Sequence, residues 1–95
     1  KSLWERRIAI VSTITFIRNN DFTDTFKIAD TLISDKEDLI NKATGWMLRE
    51  VGKRDFNAEY KYLKKQYKKM SRTSLRYAIE RFDKEMRDSF LKGLI

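Results

Sequence analysis

Ninety-five residues without a single proline, and with glycine only at positions 45, 52 and 93, leave few places where a helix must stop. Proline fixes φ and deletes a backbone donor, and glycine weakens a helix by its backbone entropy, so their scarcity favours long helical runs. Leu3, Ile10, Val11, Ile14 and Ile17 recur at helical spacing, which predicts a helix over residues 3–18, ended by the turn chemistry of Asn19, Asn20 and Asp21. Further helices are predicted over residues 23–33, 37–51, 57–69, 74–82 and 84–91. Asp35 is placed to cap the third, with Asp38 as a weaker capping-box partner, and Gly52 stands where a left-handed helix end would want it. The expected fold is all-α, with six helices in three antiparallel pairs forming one domain over 1–95.

Composition narrows the chemistry. Cysteine and histidine are both absent. That excludes a disulfide framework, a thiolate zinc site, a nucleophile paired with histidine and the usual pH switch near neutrality. Carboxylates, Arg, Lys, Tyr and Trp must do whatever is done, and no metal or cofactor is expected. No run approaches the roughly 18 apolar residues of a membrane span, and no signal or lipidation motif is present, so a soluble cytoplasmic protein is expected. Lys1 opens almost directly into an apolar periodic segment, which is the expectation for the C-terminal part of a longer chain.

The net charge of +7 is unevenly spread. Residues 1–50 hold eight basic and eight acidic side chains, whereas residues 51–95 hold thirteen and six. Between Tyr60 and Arg76, Lys61, Lys64, Lys65, Lys68, Lys69, Arg72 and Arg76 occur without one acid. Such a field concentrates polyanions, nucleic acid foremost; a solvated lysine-rich helix face has the same composition.

An echo appears at an offset of 34 residues. Asp21 and Phe22 correspond to Asp55 and Phe56, Ala9 to Ala43, Ile17 to Val51, and Phe26 to Tyr60. Helix-pair arrays of the HEAT kind repeat at about this length, and any antiparallel bundle also shows similarity at one helix-pair spacing.

Two places could carry chemistry. At about 100° per residue, Arg7 falls inside the apolar stripe, between Val11 on one side and Leu3 and Ile14 on the other. An unpaired buried charge costs about 3–5 kcal/mol, so Arg7 must meet a carboxylate, Glu50 being the obvious candidate, or an anion entering a cavity. Trp4, about 60° away, is either a wall of that cavity or plain core. On the third helix, Trp46 has Lys42 and Arg49 within about 60° on one flank and Leu39 and Ala43 close by. A flat aromatic bordered by phosphate-seeking cations is the composition of a nucleic-acid surface. Gly45, in mid-helix, marks close approach of a neighbouring element, and core packing explains Trp46 and Gly45 equally well.

These residues carry a resemblance. Residues 3–10, LWERRIAI, followed by residues 36–55, KEDLINKATGWMLREVGKRD, and by the run Arg76, Tyr77, Ala78, Ile79, Glu80, resemble the C-terminal half of the AlkD-like DNA alkylation repair family. The resemblance covers essentially the whole chain. It implies an α-solenoid of HEAT-like repeats whose concave basic face holds duplex DNA, and a monomeric, monofunctional DNA glycosylase that removes alkylated purines. It puts Arg7 in the place of the active-site arginine near the DNA backbone and Trp46 in that of an active-site aromatic beside the lesion. The DNA-contacting set expected with them is Trp4, Arg6, Lys42, Arg49, Arg72 and Arg76. The family draws its catalytic aspartate, with another tryptophan, from a segment upstream of the LWERR motif, so the essential acid is expected outside these 95 residues. Ser71, where relatives often carry proline, is expected to change only a loop.

Such chemistry needs neither histidine nor metal. A purine made cationic by alkylation is already a good leaving group, and the oxocarbenium-like sugar that develops asks mainly for a nearby carboxylate and a placed water. Trp46 would attract the cationic base through its ring face, at about 0.5–2 kcal/mol. Two other functions fit the same residues: a noncatalytic module that binds damaged or branched DNA, and a helical repeat whose groove takes a protein partner.

Overall fold

The computed structural model describes residues 2–95; Lys1 lies outside the described residues. Among the described residues the regular structure is helical, without a strand: α1 (Leu3–Val11), α2 (Ile14–Arg18), α3 (Thr23–Leu32), α4 (Asp38–Arg54), α5 (Phe56–Gln66), α6 (Arg72–Ala78) and α7 (Lys84–Leu91), with a 3-10 turn at Tyr67–Lys69. The helix expected over residues 3–18 is interrupted between α1 and α2. Ser12 donates its hydroxyl to the Ala9 carbonyl (3.1 Å) and Thr13 to that of Ile10 (2.7 Å), a competition with the main chain that bends helices. Ser12 and Thr13 nevertheless keep right-handed dihedrals, so α1 and α2 continue as one bent rod and six rods result.

Helix ends are where expectation and structure part. Asp35 does not cap α4: its carboxylate is taken by Arg6 (Nε to Oδ2, 2.7 Å) and by the Glu37 N–H (3.0 Å), and the helix begins after Glu37. Gly52 does not end α4 either. The helix runs on to Arg54, and Asp55 then caps α5 by accepting the Ala58 N–H at 3.1 Å. Ser71 caps α6 through the Ser74 N–H (3.0 Å), so the absence of proline there supplies a helix start. Asp83 does the same for α7 through Met86 (2.9 Å).

Helix α4 is the hub. It packs against α1, α2, α3, α5 and α6, most extensively against α6. Ile40, Met47, Leu48 and Val51 of α4 are fully buried with Ile10, Leu63 and Phe90 from around it. The rod α1–α2, α4 and α6 touch in succession and make one layer. Helices α3, α5 and α7 make the other, joined by Phe26 stacked on Tyr62 (4.7 Å between centroids) and Tyr60 edge-on to Phe90 (6.0 Å). The sequence echo puts a ring pair at the start of each of α3 and α5, Phe22 with Phe26 (6.3 Å, tilted) and Phe56 with Tyr60 (6.0 Å, stacked). Two layers of successive helix pairs are in keeping with the expected stack.

Candidate functional site

The α4 residues Lys42, Trp46 and Arg49 stand at spacings of four and three, which puts them on one edge of the helix. Helix α1 flanks that edge on one side and α6 on the other. Between the three helices lies a shallow pocket of about 170 Å³, lined by Arg7, Lys42, Trp46, Arg49 and Tyr77 over a floor of Leu39 and Ala43. Gly45 explains how α6 gets so close: a Cβ there would lie 2.4 Å from the Ser74 carbonyl oxygen and 2.6 Å from the Tyr77 Cβ. The glycine thus brings Tyr77, which the sequence named only within the run at residues 76–80 and gave no site role, into the lining of the pocket that Trp46 also lines.

Of the two fates open to Arg7, pairing with Glu50 is not what the structure shows. Glu50 accepts from the Trp46 Nε1–H (3.2 Å) and from Lys53 (3.0 Å). Arg7 is half-buried, and among the described residues its side chain makes no hydrogen bond or ion pair, so its charge is available to the pocket. Lys42 meets Asp38 at 3.2 Å; this hydrogen bond, the Asp38 charge and the nearby Tyr77 raise its pKa and keep it cationic. Arg49 bonds to the exposed Glu80 through Nη1. With an indole held in place by a carboxylate and three cations around it, the pocket can receive a flat cationic or polar group together with a neighbouring anion.

The other expected DNA-contacting residues lie elsewhere. Trp4 is 63% exposed and does not line the pocket, since it stands about 120° around α1 from the buried Ile10. Arg6 is a strut to Asp35 at the start of α4. Arg72 donates to the Leu91 carbonyl (2.6 Å) and ties α6 to the end of α7. Arg76 lines a separate depression with Ile79, Glu80, Arg87 and Leu91. Lys61 and Lys65 border a groove with Phe26, Asp30 and Tyr62 on the α3–α5 layer, away from the pocket. Among the described residues no group of His, Cys, Asp and Glu is arranged to hold a metal ion, and no helix is long and apolar enough to cross a membrane.

An indole, a tyrosine and three cations around one surface pocket of a two-layer helical protein are side chains of the kinds that meet nucleic-acid phosphates and bases. The family model for DNA alkylation repair enzyme matches residues 1–82, which reach from α1 through α6. The chain belongs to the DNA alkylation repair enzyme family, and with it come a general role in DNA alkylation repair and DNA as partner. No curated relative and no solved structure matches the chain.

Proposed function

We propose that the protein serves the excision of positively charged N-alkylated purines from duplex DNA, with the Arg7–Trp46 pocket as the surface that holds the lesion-bearing nucleotide. The observation that carries this reading is the convergence of Arg7, Lys42, Trp46 and Arg49 on one pocket, with no ion pair to Arg7 among the described residues. Arg7 and Lys42 grip backbone phosphates beside the lesion, and the Trp46 ring attracts the cationic base more than a neutral one. Reactivity adds to that selection, because a cationic purine leaves readily and a neutral one does not.

An oxocarbenium-like sugar needs an anion beside it. Glu50 is the acid next to Trp46, and its carboxylate already serves the indole and Lys53. The residues of the pocket therefore bind and orient the damaged nucleotide, and none of them supplies the anion. The test is base release from duplex DNA carrying N-methylpurines, run beside a binding assay. Binding that prefers methylated duplex, without release by the 95-residue chain, is expected. Release that disappears in Glu50→Gln would show Glu50 to be the acid, and equal binding of methylated and plain duplex would overturn the lesion-facing role of Trp46.

A further inference from the structure

Arg49 is shared between the pocket above and a second cavity of about 310 Å³, whose other walls are Gly52, Lys53, Phe56, Glu59, Arg81 and Phe82. Glu59 is only 2% exposed, and among the described residues its Oε2 has no hydrogen-bond partner. The buried Nε–H of Arg49, on the wall of the same cavity, has none either. Gly52 makes room for the carboxyl: a Cβ at that position would lie 1.9 Å from Glu59 Oε1. Arg81 is exposed at the cavity wall and makes no ion pair among the described residues. In an adjoining depression, which shares Arg49, Lys53 and Arg81 with the cavity, the Arg49 guanidinium is met by the carboxylate of Glu80, a side chain 64% exposed to solvent. An oxyanion on a surface residue thus already sits where an anionic ligand would arrive.

We propose that this cavity is a phosphate-binding site, in which a phosphate group replaces Glu80 on Arg49, pairs with Lys53 and Arg81, and accepts a hydrogen bond from the carboxylic acid of Glu59. A phosphate offers several acceptor oxygens, enough to satisfy the Arg49 Nε–H, the two flanking cations and one O–H donor together. Glu59 supplies that donor because burial, opposed only in part by the Arg49 charge, pushes its pKa up to about 9, so it is protonated at neutral pH. Around the cavity the charges are then Arg49, Lys53 and Arg81 against Glu50 and Glu80, a positive balance that favours an anion. The shared Arg49 wall makes a DNA phosphodiester near the first pocket one source of the group, and free phosphate presents the same chemistry.

The site stands apart from base excision, and its test reads no excision. Inorganic phosphate is titrated into the 95-residue chain at pH 7 and constant ionic strength, while NMR follows the Arg49 side-chain N–H and the Gly52 amide. Saturable shifts are expected, with affinity roughly tenfold weaker in Arg81→Gln and in Glu59→Leu, as loss of one charge-assisted bond predicts. Glu59→Gln, whose amide still donates, should bind like the parent. A short plain duplex added afterwards releases the phosphate if the site takes the DNA backbone, and leaves it bound if the site takes free phosphate. Shifts that never saturate, or that saturate in Arg81→Gln and Glu59→Leu with the affinity of the parent, would overturn the proposal.

Discussion

Glu59 keeps a proton that the unfolded chain gives up near the ordinary glutamate value of about 4.5. Between that value and about 9 the folded state binds one proton more than the unfolded state, so stability falls as pH rises through this window, by at most about 1.4 kcal/mol per unit. The contribution is whole below pH 4 and gone above pH 9, opposite in sign to that of a carboxylate in a salt bridge. Urea midpoints should therefore decline from pH 5 to 9 in the parent and decline less in Glu59→Gln; parallel profiles would show that the carboxyl is ionised in its cavity. Trp46 and Arg7 make a second contrast. Trp46→Ala should weaken binding of methylated duplex roughly 2- to 30-fold, the range of a cation–π contact, with little effect on plain duplex. Arg7→Ala should weaken both more severely, because its charge serves the backbone rather than the base. Fluorescence anisotropy on the two duplexes separates these outcomes.

Gly45 acts at the level of elements, as the point where α6 rests on α4. Gly45→Ala forces a methyl against the Ser74 carbonyl and the Tyr77 Cβ, so it should destabilise the protein by about 1–3 kcal/mol despite the better helix propensity of alanine. Denaturation followed by Trp46 fluorescence checks this, and a stabilised variant would mean that α6 yields. Apolar spacing made the helices themselves legible in the sequence, and the start of α7 at Lys84 lies where it was predicted. Their ends were less legible, because caps are decided by competition between partners distant in sequence. Asp35 looks like a cap until Arg6, 29 residues away, is brought to it. Gly52 looks like a helix end until Glu59 comes to fill the space beside it. The same limit applied to the site: the wheel grouped Lys42, Trp46 and Arg49 on one helix, whereas Tyr77 and the exposure of Trp4 depend on how α6 and α1 dock.

The whole molecule measures 36 × 29 × 18 Å, about two helix layers in its thinnest direction. Its cations are divided between those layers, with Arg7, Lys42 and Arg49 in the first and the lysine run beginning at Lys61 in the second. If DNA lies on the first, changing Lys64, Lys65, Lys68 and Lys69 together to Gln should leave the salt dependence of binding nearly unaltered. Lys42→Gln alone should lower the slope by about 0.9, the value for one neutralised phosphate. The reverse pattern would place DNA on the second layer. One further consequence comes from α4, which carries the site on one edge while eight of its 17 residues are buried. Its amides should exchange hydrogen only when the entire protein unfolds, more slowly than those of α7. If duplex DNA docks on this edge as proposed, an interface on so protected a segment has no inexpensive local opening with which to adapt, and the distortion needed for a fit falls to the double helix, where a damaged base pair is the easiest to distort.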